Sequence, residues 1–260
     1  MTRRQIEDEI INLQLDTEDV VLETAELLKR HYNAKMDEVI DKIALWYLKN
    51  DIHTLVDAQL GVDSLMSELD EVLDEKNEEY ISTMTEHFAL VFALNLQETE
   101  RIFEFEVTED EEALILFGAL GLASIAWDED GLTYADRMRL KNEALKDEIR
   151  QIILRNAALG SGSQKLLNDI YHEMSKSTYR GKGTLLDESV HVANEAVRYA
   201  AEQLFDGYVI LETLDARTCK HCNEAHGKFF TWDQYEVGLT APKFHPNCRG
   251  RICPANVGDF

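Results

Sequence analysis

Residues 17–47 read TEDVVLETAELLKRHYNAKMDEVIDKIALWY. Within this stretch Val21, Ala25, Leu28, Tyr32, Met36, Val39, Ile43 and Tyr47 recur at steps of three or four, the spacing of one apolar stripe along an α-helix. No proline precedes position 242 and glycines are sparse in the first 110 residues, so nothing in the backbone chemistry interrupts long helices. A second stripe runs through Leu65, Leu69, Val72, Tyr80, Met84, Phe88 and Val91, with the acidic run Asp70 to Glu79 reading as a solvated face. Glu109 to Glu112 reads as a helix start, and the uncharged run Ala113–Ala126 as a buried helix too short to span a bilayer.

Further along, Trp127-Asp-Glu-Asp-Gly131 reads as a turn feeding a helix, with Thr133 as N-cap and Asp136 in the first turn. The inner face of that helix is Met138, Leu145, Ile149, Ile152 and Ile153. Gly160 and Gly162 break the chain, and Leu166, Ile170 and Met174 mark another helix. Tyr179-Arg-Gly-Lys-Gly183 reads as a connector, lacking the spacing of a phosphate-cradling loop. A last helix is expected over Thr184–Phe205, with Val190, Ala193, Val197, Ala200 and Leu204 inward. The period then changes: Tyr208–Leu214 and Lys228–Trp232 are rich in strand formers. The fold class that follows is mainly α, long amphipathic helices forming a body, with a small C-terminal α+β subdomain.

Composition narrows the function classes. The formal charge is −24, yet residues 212–260 hold six acids and six bases, so the excess acidity belongs to residues 1–211. Such a body repels phosphate backbones, which excludes broad DNA wrapping. The opening Met-Thr-Arg-Arg-Gln-Ile-Glu-Asp lacks a secretory pattern, and thiols made inside a cell stay reduced, which favours metal over disulfide.

All four cysteines and all three prolines lie in the last 42 residues. Thr213-Leu-Asp-Ala-Arg-Thr-Cys219-Lys-His-Cys222 supplies a Cys-x-x-Cys turn in a loop after a strand, and His245-Pro-Asn-Cys248 supplies a second close pair. Zinc takes four soft or borderline donors at tetrahedral angles, and these two turns carry a Cys3His set, with 22 residues between them. Pro246 stiffens the second turn. Four protein ligands leave no open position for water, so the expected zinc is structural rather than hydrolytic. Cys253 has two readings: a fourth ligand in place of His245, or, preferred, a small buried hydrophobe beside the site. His221 and His226 read as surface polar residues. Glu188, His191 and Glu195 share a helix face; an ion-pairing, solvated stripe is preferred there over a proton-moving or metal-binding site, and no catalytic residue is assigned.

The run Leu-Asp-Ala-Arg-Thr-Cys-Lys-His-Cys with His-Gly-Lys-Phe-Phe and His-Pro-Asn-Cys-Arg resembles the C-terminal domain of the minor head (head morphogenesis) proteins of tailed bacteriophages, the family including the F protein of phage Mu. Upstream, Trp127-Asp-x-Asp-Gly-Leu-Thr-Tyr-Ala-Asp-Arg, Gly160-Ser-Gly-Ser and Asp187-Glu-Ser-Val-His-Val-Ala-Asn-Glu-Ala resemble the family's helical portion. The resemblance covers roughly residues 127–255. It puts Cys219, Cys222, His245 and Cys248 on the family's ligand pattern, and Asp215, Arg217, Gly227, Asn247 and Arg249 on the residues that shape it. One departure stands out: many members read His-Pro-Asn-Cys-Arg-Cys, where this chain has Gly250.

The resemblance implies a virion component in the capsid interior or at the portal vertex, present in the host cytoplasm during assembly, acting in head assembly and in DNA packaging or ejection. Its partners would be the portal protein, scaffold or major capsid protein. The division expected is residues 1–126 as an acidic helical partner-binding arm or bundle, 127–211 as the helical part of the minor head domain, and 212–260 as the zinc-binding knob. Two rivals are a metal-dependent nuclease of the His-Asn-His type and a zinc-stabilised nucleic-acid-binding regulator. The first lacks a catalytic cluster separate from the zinc ligands. For the second, Arg249 and Arg251 could touch DNA weakly, but the knob's matching acids favour a neutral scaffold.

Overall fold

The computed structural model describes residues 2–50, 52, 54–106, 121, 125–127 and 130–258. Among them the chain is mainly helical: α1 (Arg3–Lys49), α2 (Leu55–Phe103), α3 (Tyr134–Ala158), α4 (Ser163–Ala201) and the short α5 (Lys220–Ala225). Strands β1 (Gly207–Leu211), β2 (Phe229–Thr231) and β3 (Arg251–Ala255) form one antiparallel sheet in the order β2-β1-β3. The expected helix start at Glu109–Glu112 lies outside the described residues, as does most of the Ala113–Ala126 run. Among the described residues no helix is long and apolar enough to cross a membrane.

The chain divides into two compact units. One comprises Ala25–Thr83 and Ala135–Lys182. Its core is the four apolar stripes closed on one another: Tyr32, Met36, Val39 and Ile43 of α1, Leu65, Leu69 and Val72 of α2, Leu145, Ile149, Ile152 and Ile153 of α3, and Leu166, Ile170 and Met174 of α4. Each fully buried aliphatic side chain contributes about 1.5–3 kcal/mol, which is what holds helices of this length in register. The acidic run of α2 stays exposed, but Glu78 pairs with Arg139 at 2.8 Å and Asp74 with Lys146 at 2.6 Å. Lys35 is buried; its Nζ donates to the Leu73 carbonyl at 3.0 Å, and burial pushes its pKa down to about 8.

The Tyr179–Gly183 stretch is not a connector. Both glycines lie inside the continuous helix α4, which also ends earlier than expected, at Ala201, leaving Leu204 exposed. Gly181 has a packing reason: a Cβ there would stand 2.7 Å from the Tyr80 hydroxyl.

The other unit comprises Met1–Thr24, Met84–Tyr134 and Gly183–Phe260. Here β1 is the central strand and is buried on both faces. On one face Val209 and Leu211 pack with Cys253, Ala255, Ile10 and Ile102; on the other Tyr208 and Ile210 pack with Ile252, Val197, Ala225 and Ala241. Gly207 is required where β1 meets β2, because a Cβ would fall 2.1 Å from the Phe230 carbonyl oxygen. Buried His87 bridges Thr24 Oγ1 and Ser189 Oγ, each at 2.9 Å.

The run Glu188, His191 and Glu195 is a correction to the expected solvated stripe: all three are buried. Trp127 covers two of them, stacking on His191 with ring centroids 4.7 Å apart and donating Nε1–H to Glu188 at 2.6 Å. Glu195 accepts from Arg198 at 3.0 Å.

Two measurements follow. Gly181→Ala should destabilise by about 1–3 kcal/mol in denaturant unfolding despite alanine's better helix propensity, and adding Tyr80→Phe should restore most of the loss. Burial lowers the His87 pKa from 6.5 to about 4, so the unfolded chain takes up its proton first as pH falls. The His87 contribution is therefore complete above pH 6.5 and lost as pH falls to 4, about 3 kcal/mol in all; His87→Gln should flatten the stability–pH curve across that window by this amount.

Candidate metal centre

The centre is built from two turns hung on the ends of β1 and β3. After β1 the chain turns at Asp215, whose backbone N–H donates to Thr218 Oγ1 at 3.0 Å and whose Oδ1 accepts from the Arg217 backbone N–H at 2.8 Å. The same carboxylate takes Arg249 Nη1 at 3.0 Å and Nη2 at 2.7 Å. This forked pair with Arg249 holds the Asp215 carboxyl well below the usual carboxylate range and ties the Cys219 turn to the Cys248 turn.

Cys219 is the N-cap of α5, and its Sγ accepts the Cys222 backbone N–H at 3.4 Å. That bond is the main reason its thiol pKa is lowered. The Cys-x-x-Cys therefore sits at a helix start, not in the loop the sequence indicated. A six-residue helix beside an antiparallel sheet is still not the parallel strand–helix setting of a thiol oxidoreductase, and all four cysteines are free. Cys222 and Cys248 are buried, and burial pushes both thiols up.

His245 Nε2 stands 3.2 Å from Cys219 Sγ and 3.2 Å from Cys222 Sγ. Its Nδ1 faces the Pro246 carbonyl at 2.9 Å. A carbonyl only accepts, so Nδ1 carries the proton and the Nε2 lone pair points at the thiols, the tautomer a metal ligand needs. Cys248 Sγ is 3.9 Å from Cys222 Sγ. Donors at 2.0–2.3 Å from one tetrahedral ion lie about 3.3–3.8 Å apart, so these three spacings suit a small cation, but Cys248 does not lie within 4.8 Å of both Cys219 and His245, and the four expected ligands are not gathered into one group.

Among the described residues the candidate donors fall into two overlapping triads, Cys219–Cys222–His245 and Glu212–Cys222–Cys248, with the donor atoms of each within 4.8 Å of one another. Cys222 belongs to both; Cys248 joins the second. Cys253 belongs to neither: it lies in β3, packed with Ile10, Val209 and Leu211, and burial pushes its thiol up to about 12.

His226 does more than face solvent, since its Nδ1 accepts the Glu212 backbone N–H at 3.0 Å, while His221 sits edge-on to Phe244. Two residues escaped the sequence reading. Glu212 lay inside the strand-forming stretch Tyr208–Leu214 with no role assigned, yet it follows the end of β1 and is buried, and burial raises its pKa. Asn194, fully buried in α4, donates to the Gly250 carbonyl at 3.1 Å and the Pro242 carbonyl at 3.4 Å, and accepts the Ile252 N–H at 3.1 Å. It thereby pins both ends of the loop that carries His245 and Cys248. Its sequence signals were a polar residue inside an otherwise Ala- and Val-rich face and its place in the Asp187–Ala196 stretch that resembles the family's helical portion. Asp187 adds a second tie, accepting the Asn247 N–H at 2.7 Å and Lys243 Nζ at 3.2 Å, while Asn247 takes φ 60°, a conformation asparagine tolerates. Asn194→Ala should leave these backbone groups unpaired and cost about 2–4 kcal/mol in denaturant unfolding, whereas Asn223→Ala on the exposed side of α5 should change stability by less than about 0.5 kcal/mol.

No curated protein and no solved structure matches the chain. Residues 147–253, from within α3 to β3 and including both cysteine-bearing turns, match the model of the family described as Phage Mu protein F like protein.

Proposed function

We propose that the chain is a structural, non-enzymatic component of a tailed-phage head, acting in head assembly through contacts with the portal protein or capsid, and that Cys219, Cys222, His245 and Cys248 hold a structural zinc ion. The observation that carries this reading is the coincidence of the family match with the donor cluster, which lies wholly inside the matched segment. When bound, zinc would supply a cross-link between α5 and the His245–Cys248 turn, adding to the Asp215–Arg249 pair and the contact of His221 with Phe244.

Two further observations support a scaffold over the rival readings. The His245 Nε2 lone pair is directed at two thiols, which leaves it unsuited to activating water. The knob's cations are largely engaged by its own chain: Arg249 and Arg217 by Asp215, Lys243 by Asp187, Lys220 by Glu224, while Arg251 is buried in β3. A phosphate backbone would have to compete for them.

Two experiments test the reading. Purified protein should carry about one zinc per chain by mass spectrometry, and Cys219→Ser with Cys222→Ser should lose it together with thermal stability. Suppressing the gene in its phage should yield defective or empty heads by electron microscopy; normal yields of DNA-filled, infectious heads would refute the head role.

A further inference from the structure

Glu212 has no part in the Cys3His set, yet its surroundings are those of a ligand. It is 97% buried by its 3% relative exposure; the Cys222 thiol hydrogen-bonds its carboxyl, and among the described residues its Oε1 has no other hydrogen-bond partner. Such an oxygen in a native interior calls for a donor, a water or a cation. The nearby guanidinium of Arg249 is already forked onto Asp215. What the carboxyl does face is sulfur: its oxygen and the Sγ atoms of Cys222 and Cys248 lie within 4.8 Å of one another, and all three residues are buried.

The backbone keeps it there. Glu212 follows directly on the central strand, and its N–H is held by His226 Nδ1 at 3.0 Å. Opposite, Gly250 leaves the space the carboxyl fills, because a Cβ at 250 would meet Glu212 Oε1 at 2.5 Å. His245, by contrast, is half-buried and borders a cleft of about 750 Å³ lined also by Trp127, Arg198, Lys243 and Phe244. It is the donor with room to move.

Resting on the metal reading above, we infer that Glu212 is a fifth protein donor of the centre, which takes the fourth coordination position through its carboxylate when His245 leaves. The inner triad of Cys222, Cys248 and Glu212 is then a second set of three protein donors for the same ion, which Cys219, outside that triad, completes only by moving closer. Carboxylate oxygen is an accepted donor to zinc and to cobalt(II), so the exchange needs no change of metal.

Cobalt(II) reports the outcome, because its visible spectrum follows coordination. His245→Ala should still take up about one cobalt per chain with a tetrahedral spectrum, and added imidazole should leave that spectrum unchanged, the fourth position being filled by Glu212. Adding Glu212→Gln, which keeps the size of the side chain, should weaken cobalt binding at least tenfold and make the spectrum respond to imidazole. An imidazole response already present in His245→Ala, or equal behaviour of the single and double variants, would overturn the inference while leaving the zinc reading intact. Wild-type protein that binds no cobalt would overturn both. Far-UV circular dichroism on each variant separates lost ligation from lost folding.

Discussion

Burial of β1 on both faces is the constraint on which the C-terminal half depends. A strand with five buried residues cannot be wetted on either side, so helical residues on one face, Ile10 and Ile102, and Val197 of α4 on the other must close over it. Its two neighbours are edge strands, and the turns that leave β1 and enter β3 carry the cysteines. The donor cluster thus inherits its position from an apolar sandwich and its fine geometry from a few polar ties: Asp215 to Arg249, Asn194 to the backbone on both sides of the His245 loop, and Asp187 to Asn247.

Those ties divide into two energetic kinds. Asp215 is solvent-accessible, so its pair with Arg249 is screened and matters for geometry more than for stability. Asn194 is fully buried, and each of its bonds satisfies a backbone group that would otherwise be left dry and unpaired. The same distinction separates the acidic face of α2, where Glu78 meets Arg139 in the open, from the buried group of Glu188, His191 and Glu195, which burial holds against solvent and where the His191 pKa is pushed down to about 3.

The centre itself combines donors of unequal freedom. Cys222 and Cys248 are buried, Cys219 and His245 half-buried, and Cys222 is common to both triads. The enclosed pair of candidate donors thus lies inside the unit, while His245 borders a cleft at its surface.

What could be read from sequence was what is local. The stripes of α1 to α4 were legible because side chains three and four apart share a helix face whatever the rest of the chain does, and the Cys219–Cys222 and His245–Cys248 pairs because two donors one turn apart can meet one ion. Local signals misled where packing overruled them: Gly181 and Gly183 read as a break but lie in α4, where Gly181 makes room for Tyr80, and Pro254 hid strand β3, whose edge position tolerates a missing N–H. By itself, then, the sequence determined the helical class and the strand-forming end, and it named the cysteines and histidine as candidate donors. Only the tertiary structure decided that Glu188, His191 and Glu195 are dry, that Asn194 anchors the loop and that Glu212 faces the thiols, because burial and the satisfaction of buried polar groups are set by residues far apart in the chain.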